Sequence, residues 1–129
     1  MAARIFLALS VLIWLPYGIW CLLDPAQLAG SAGVSFVSAT GSTELRAMYG
    51  GLQAGLGALA LGGVLRASLE RPALLALLFL TAGLASARIA GLALDGSAST
   101  YTLAALWFEI PTAAIAGWLL ARAPLERAR

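Results

Sequence analysis

The chain of 129 residues has no histidine, no lysine, no asparagine and a single cysteine. Each absence closes a class of chemistry. Without histidine there is no Ser/His/Asp set, no HExxH helix and no Cys/His metal site. The lone Cys21 cannot form an intramolecular disulfide or a CxxC motif, and it reads as a small buried side chain. Neither a metal nor a cofactor is expected; the haem ligands available reduce to Cys21, methionines and tyrosines. Charge is scarce as well, at 11% of residues, where soluble domains carry about a quarter. A net charge of +2 with dispersed arginines argues against nucleic acid as a partner.

What fills the space is apolar: 61% of residues are hydrophobic and the mean hydropathy is +0.91. Such a chain is a membrane protein of one domain, residues 1–129, and the lipid bilayer is its first partner. Four apolar runs, about 5–23, 43–65, 72–94 and 100–121, predict an all-α, four-helix transmembrane bundle. The first run would also suit a signal peptide, but it is long for that role and carries Trp14, Tyr17 and Trp20 as an aromatic belt. Pro16 predicts a kink in it, and Asp24-Pro25 ends it. Residues 24–41 form the longest connection, apolar enough to lie on the membrane surface or over the mouth of the bundle. Thr43, with Glu44 in the first turn, predicts the start of the second helix, Pro72 that of the third.

Four spans put both termini on one side. That side carries Arg4, Arg66, Arg71, Arg122, Arg127 and Arg129, whereas Arg46 and Arg88 belong to the other. The positive-inside rule then places both termini in the cytoplasm. The absence of lysine, histidine and asparagine resembles the bias of a GC-rich bacterial genome, so the expected location is a bacterial inner membrane.

The second helix is the expected centre of packing. Gly50, Gly51, Gly55 and Gly57 lie on small-residue stripes, and Gly91 repeats the theme in the third helix. In lipid such stripes let helix backbones approach closely. The glycines of GLQAGLG lack the preceding strand that a nucleotide loop requires.

Ionisable groups in spans are costly and usually face protein. From the helical rise, Arg88 lies ~9 Å below the outer end of the third helix and Glu109 ~13 Å below that of the fourth. A short loop makes these helices antiparallel neighbours, so Arg88 and Glu109 are the expected pair. Arg46 shares a face with Gly50 and Gln53, Glu44 with Met48 and Gly51, and Arg88 with Asp95. Glu109 shares its face with Thr102, Ala105, Thr112 and Ala116. With Tyr49, these groups predict a polar cavity in the outer half of helices two, three and four.

The blocks ELRAMYGGLQAGLG, SARIAGLALDG and WFE resemble a bacterial family of small four-span membrane proteins, catalogued as domain of unknown function 4345. The resemblance implies motif positions at Glu44, Arg46, Tyr49, Gly50, Gly51, Gln53, Gly55, Gly57, Arg88, Gly91, Asp95, Gly96 and Glu109. It implies the fold and these positions, and no activity.

Three roles remain open on the sequence. One is a non-enzymatic binding or transport module for a small polar or amphiphilic ligand, its headgroup held by Arg46 and Arg88. The second is a membrane enzyme acting on a lipid-soluble quinone or isoprenoid, with Glu109 or Glu44 as general acid or base. The third is a subunit of a homo-oligomer or larger membrane complex. Beside these stands a purely structural reading, in which Glu44, Arg46, Arg88, Asp95 and Glu109 form a buried network that fixes helix register.

Overall fold

The computed structural model describes residues 1–96 and 98–122, and the Arg127 and Arg129 of the expected basic tail lie outside them. The described residues are helical, without strands, and the protein is a multi-pass membrane bundle. Four helices are long and apolar enough to cross a membrane: Ala2–Leu23, Ala39–Leu65, Ala67–Asp95 and Thr100–Arg122. These are the first to fourth spans. Even the shortest, at 22 residues, reaches ~33 Å, enough for the hydrocarbon layer.

Two starts differ from the sequence expectation. The second span begins at Ala39, because Ser38 adopts the extended cap conformation and its hydroxyl accepts from the Gly41 N–H at 3.1 Å. Thr43 instead lies inside the helix and returns its hydroxyl to the Ala39 carbonyl. The third span begins at Ala67, so Pro72 lies inside the helix rather than in its first position. Arg66 alone, in extended conformation, turns the chain between the second and third spans. The helices also continue through Pro16 and Pro111.

The connection after the first span is partly ordered. A short helix, Gln27–Ala32, buries Leu28 completely and ends at Gly33 in the left-handed conformation. Gly96 ends the third span the same way, at φ 63°, where a Cβ would be strained.

In space the first span packs on the second, the second on the third and the third on the fourth. The first and fourth spans are not packed backbone against backbone; aromatic side chains join them instead. Trp14 lies 5.7 Å from Phe108, and the Tyr17 hydroxyl lies 3.3 Å from that of Tyr101. At the end nearer the N-terminus, Arg4 bridges Glu70 at 3.4 Å. Above that contact the bundle is solid, with Leu7, Ala60, Ala73, Leu74, Leu77, Ala116 and Leu119 forming a continuous core. Trp14 and Leu56 close this core at its upper limit. The opposite half is less densely filled, and the polar residues gather there.

Glycine decides how closely the first two spans approach. A Cβ on Gly50 would meet Leu22, and one on Gly57 would fall 2.6 Å from the Leu15 backbone nitrogen. Gly18 of the first span reciprocates against Ala54. The expectation for Gly51, Gly55 and Gly91 is corrected. Gly55 has nothing within 4 Å, Gly51 meets only the carbonyl of Arg46, and Gly91 only the carboxylate of Asp95, four residues on in the same helix. None of the three brings one helix to another.

Candidate ligand cavity

The regular ladder of the second span is interrupted by a π-helical turn, Arg46–Gly51. Its wider winding is visible at the exit, where the Leu52 N–H bonds to Ala47, five residues back. The turn changes which residues share a face. Arg46 points to the end of the first span and donates from Nη1 to the carbonyls of Leu22 and Leu23, the latter at 3.2 Å. Those carbonyls are among the unsatisfied acceptors that end every helix, and a cation there also meets the negative end of the helix dipole. Arg46 is therefore a clasp between two spans. Arg46→Gln is expected to cost about 1–2 kcal/mol of stability in a thermal or denaturant titration.

Tyr49 and Gln53, placed by the same turn, line a cavity of about 380 Å³ with Met48, Leu52 and Leu56. The third span contributes Leu80, Leu84 and Arg88. The fourth contributes Tyr101, Ala104, Ala105, Phe108 and Glu109. The first span, assigned no part in the cavity by the sequence, supplies Ile13, Trp14 and Tyr17. Trp14 and Leu56 belong both to this wall and to the core beneath, so they are its floor.

Three expected members are absent from the wall. Glu44 is exposed near the start of its span, Asp95 is exposed at the end of the third, and Arg46 is committed to the first span. An aspartate at a helix end can reach water, so nothing draws Asp95 inward beside Arg88.

The polar centre of the cavity is Arg88 with Glu109. Arg88 Nε lies 3.0 Å from Glu109 Oε1 and 3.1 Å from Oε2. One N–H thus serves both oxygens, and neither Nη group bonds to the carboxylate. A guanidinium has five N–H donors, so most of its capacity is unused in this contact. The guanidinium also lies 5.5 Å from the centre of the Tyr101 ring, within cation–π range. Exposure is unequal: the Glu109 side chain is 5% accessible and that of Arg88 23%. The group presented to the space is the cation.

Glu109 shares a buried face with its helix neighbours. Thr112 and Ala116 are buried on the same side, and the Thr112 hydroxyl donates to the Phe108 carbonyl at 2.7 Å. Thr81 does the same across the way, donating to Leu77 at 2.6 Å. These hydroxyls are satisfied within their own helices, so they leave the cavity chemistry to the pair, the tyrosines and Gln53. One buried donor has no acceptor among the described residues, the indole Nε1–H of Trp14.

A family model, domain of unknown function (DUF4345), matches residues 2–120, nearly the whole described chain. The protein belongs to the DUF4345 family. No curated protein and no solved structure matches the chain. Membership therefore covers all four spans and the cavity between them, while assigning no ligand or reaction to this DUF4345 protein.

Proposed function

We propose that this DUF4345 protein is a non-enzymatic binding or transport module of the bacterial inner membrane. Both termini face the cytoplasm, and the cavity lies in the outer half, where it takes a small amphiphilic molecule. The orientation rests on the arginines. Arg4, Arg66, Arg71 and Arg122 lie at the end away from the cavity, where positive charge favours the cytoplasmic side.

The observation that carries the binding reading is the cavity's composition. About 380 Å³ of mostly apolar and aromatic wall, contributed by four spans, converges on a single charged pair with spare donors. Small-molecule sites have this character: apolar lining for affinity and a few fixed polar groups for orientation. A purely structural ion pair needs no adjoining space. The enzymatic alternative is weaker, because both oxygens of Glu109 accept from Arg88 and Glu44 lies away from the wall. A general base needs an oxygen within reach of the proton it removes.

Filling the cavity tests the proposal. Ala105→Trp places an indole into the lined space from the fourth span. Purified protein in lipid nanodiscs, incubated with a bacterial total lipid extract and analysed by native mass spectrometry, is expected to carry a bound small molecule. Ala105→Trp is expected to lose at least nine-tenths of that occupancy. Equal occupancy in the two proteins would refute a ligand in this cavity.

A further inference from the structure

We infer that the cavity selects a neutral, lipid-dissolved molecule whose polar end carries acceptor oxygens and no charge: a carbonyl head on an apolar body. The inference rests on the cavity being a ligand site and goes further, to the chemistry of the head.

Three observations lead to it. First, the pair is electrically closed. Arg88 and Glu109 cancel, and neither Glu44 nor Asp95 nor Arg46 lines the space. An anionic head would add an uncompensated charge at a depth where each such charge is costly, and a cationic head would do the same with opposite sign. Second, the polar surface on offer is weighted toward donors. The Nη groups of Arg88 donate and cannot accept, whereas the Glu109 oxygens are already shared by Nε and almost wholly covered. Tyr17 and Tyr101 use one of their two protons on each other, which leaves one to give. Gln53 adds two N–H donors and one carbonyl acceptor, and Tyr49 one hydroxyl, so donors still outnumber acceptors. A head rich in its own donors would find its best acceptor, the carboxylate, occupied. A carbonyl oxygen meets the spare donors of Arg88, the tyrosines and Gln53.

Third, the wall explains the body of the ligand. The seam between the first and fourth spans is joined by Trp14–Phe108 and Tyr17–Tyr101 and by no close backbone packing. Ile13, Met48 and Leu52, apolar lining residues, are each about half exposed. An apolar body can therefore lie along the wall and pass between side chains into lipid without crossing a polar barrier.

A matched series separates the possibilities. Methyl dodecyl ketone, dodecanol, dodecyl phosphate and dodecane share one tail and differ in the head: acceptor only, donor and acceptor, anion, and none. Binding is measured in nanodiscs by native mass spectrometry. The ketone is expected to bind at least tenfold tighter than the phosphate or the alkane, and several-fold tighter than the alcohol. Arg88→Lys keeps the charge beside Glu109 but gives up the planar set of spare donors; it is expected to abolish the preference for the ketone over dodecane. Should this variant not fold, the wild-type series decides alone. Tighter binding of the phosphate, or equal binding of ketone and alkane, overturns the inference and leaves the cavity a ligand site. Binding of none of the four, together with no loss of occupancy in Ala105→Trp, overturns both.

Discussion

Arg88→Gln is expected to lower the stability of the protein in nanodiscs by ~3–5 kcal/mol, the cost of removing one partner from a buried ion pair. Glu109→Gln should cost less, and the double variant should recover part of the larger loss. The asymmetry follows from position. Without Arg88, the Glu109 carboxylate, buried in the intact bundle, loses its partner among apolar neighbours. Without a carboxylate at 109, Arg88 keeps its long stem and 23% accessibility, and it can extend along the wall toward the Tyr101 ring. Changing both to glutamine removes the unpaired charge altogether and leaves two amides able to bond each other. The measurement is a thermal or denaturant titration of the four proteins, read as a double-mutant cycle. If either single variant matched the wild type, the pair would contribute nothing to the fold, and the cavity would be its whole purpose.

The pair was legible in the sequence because charge inside an apolar run is its own signal. Two residues at similar depth on neighbouring helices have few other partners, and a helical rise of ~1.5 Å per residue suffices to match them. The rest of the site obeyed rules that the sequence does not display. Uniform winding puts Arg46 on one face with Gly50 and Gln53, and the π-helical turn at Arg46–Gly51 breaks that winding in the middle of the face. It sends Arg46 to the carbonyls of Leu22 and Leu23 and leaves Tyr49 and Gln53 to the cavity.

The first span was missed for a different reason. Trp14 and Tyr17 read as membrane-interface aromatics, a role that suits Trp20, which is half exposed. Yet Trp14 is 5% exposed and Tyr17 reaches Tyr101, contacts between residues about ninety positions apart along the chain. Periodicity along one helix carries no information about which helix faces it. Helix starts failed more simply. Ser38, Ser42 and Thr43 are all competent caps, and only the packed chain chooses Ser38.

The small-residue stripes show the same limit, and they give the sharpest contrast in the molecule. Gly18→Ala and Gly57→Ala are expected to destabilise the bundle by ~1–3 kcal/mol each, with Gly18→Ala at or beyond the upper end. Gly55→Ala should be neutral or stabilising. All three are glycines in transmembrane helices, so helix propensity predicts a gain for every one of them. Space reverses the sign at two. The added methyl at position 18 would lie 2.3 Å from the Ala54 backbone nitrogen, and at position 57 it would lie 2.6 Å from that of Leu15. A flexible side chain could yield to such an approach; a helix backbone yields only by moving the whole helix. The first and second spans would separate, and because Trp14, Tyr17, Tyr49 and Gln53 ride on them, the cavity would widen as stability falls. At position 55 the methyl meets nothing within 4 Å. Thermal melts of the three variants under one set of conditions decide the matter. If Gly18→Ala melted with Gly55→Ala, the close approach of the first two spans would be wrong. Without a hydrophobic drive between helices in lipid, that approach is what holds these two spans together, and the wall of the cavity depends on it.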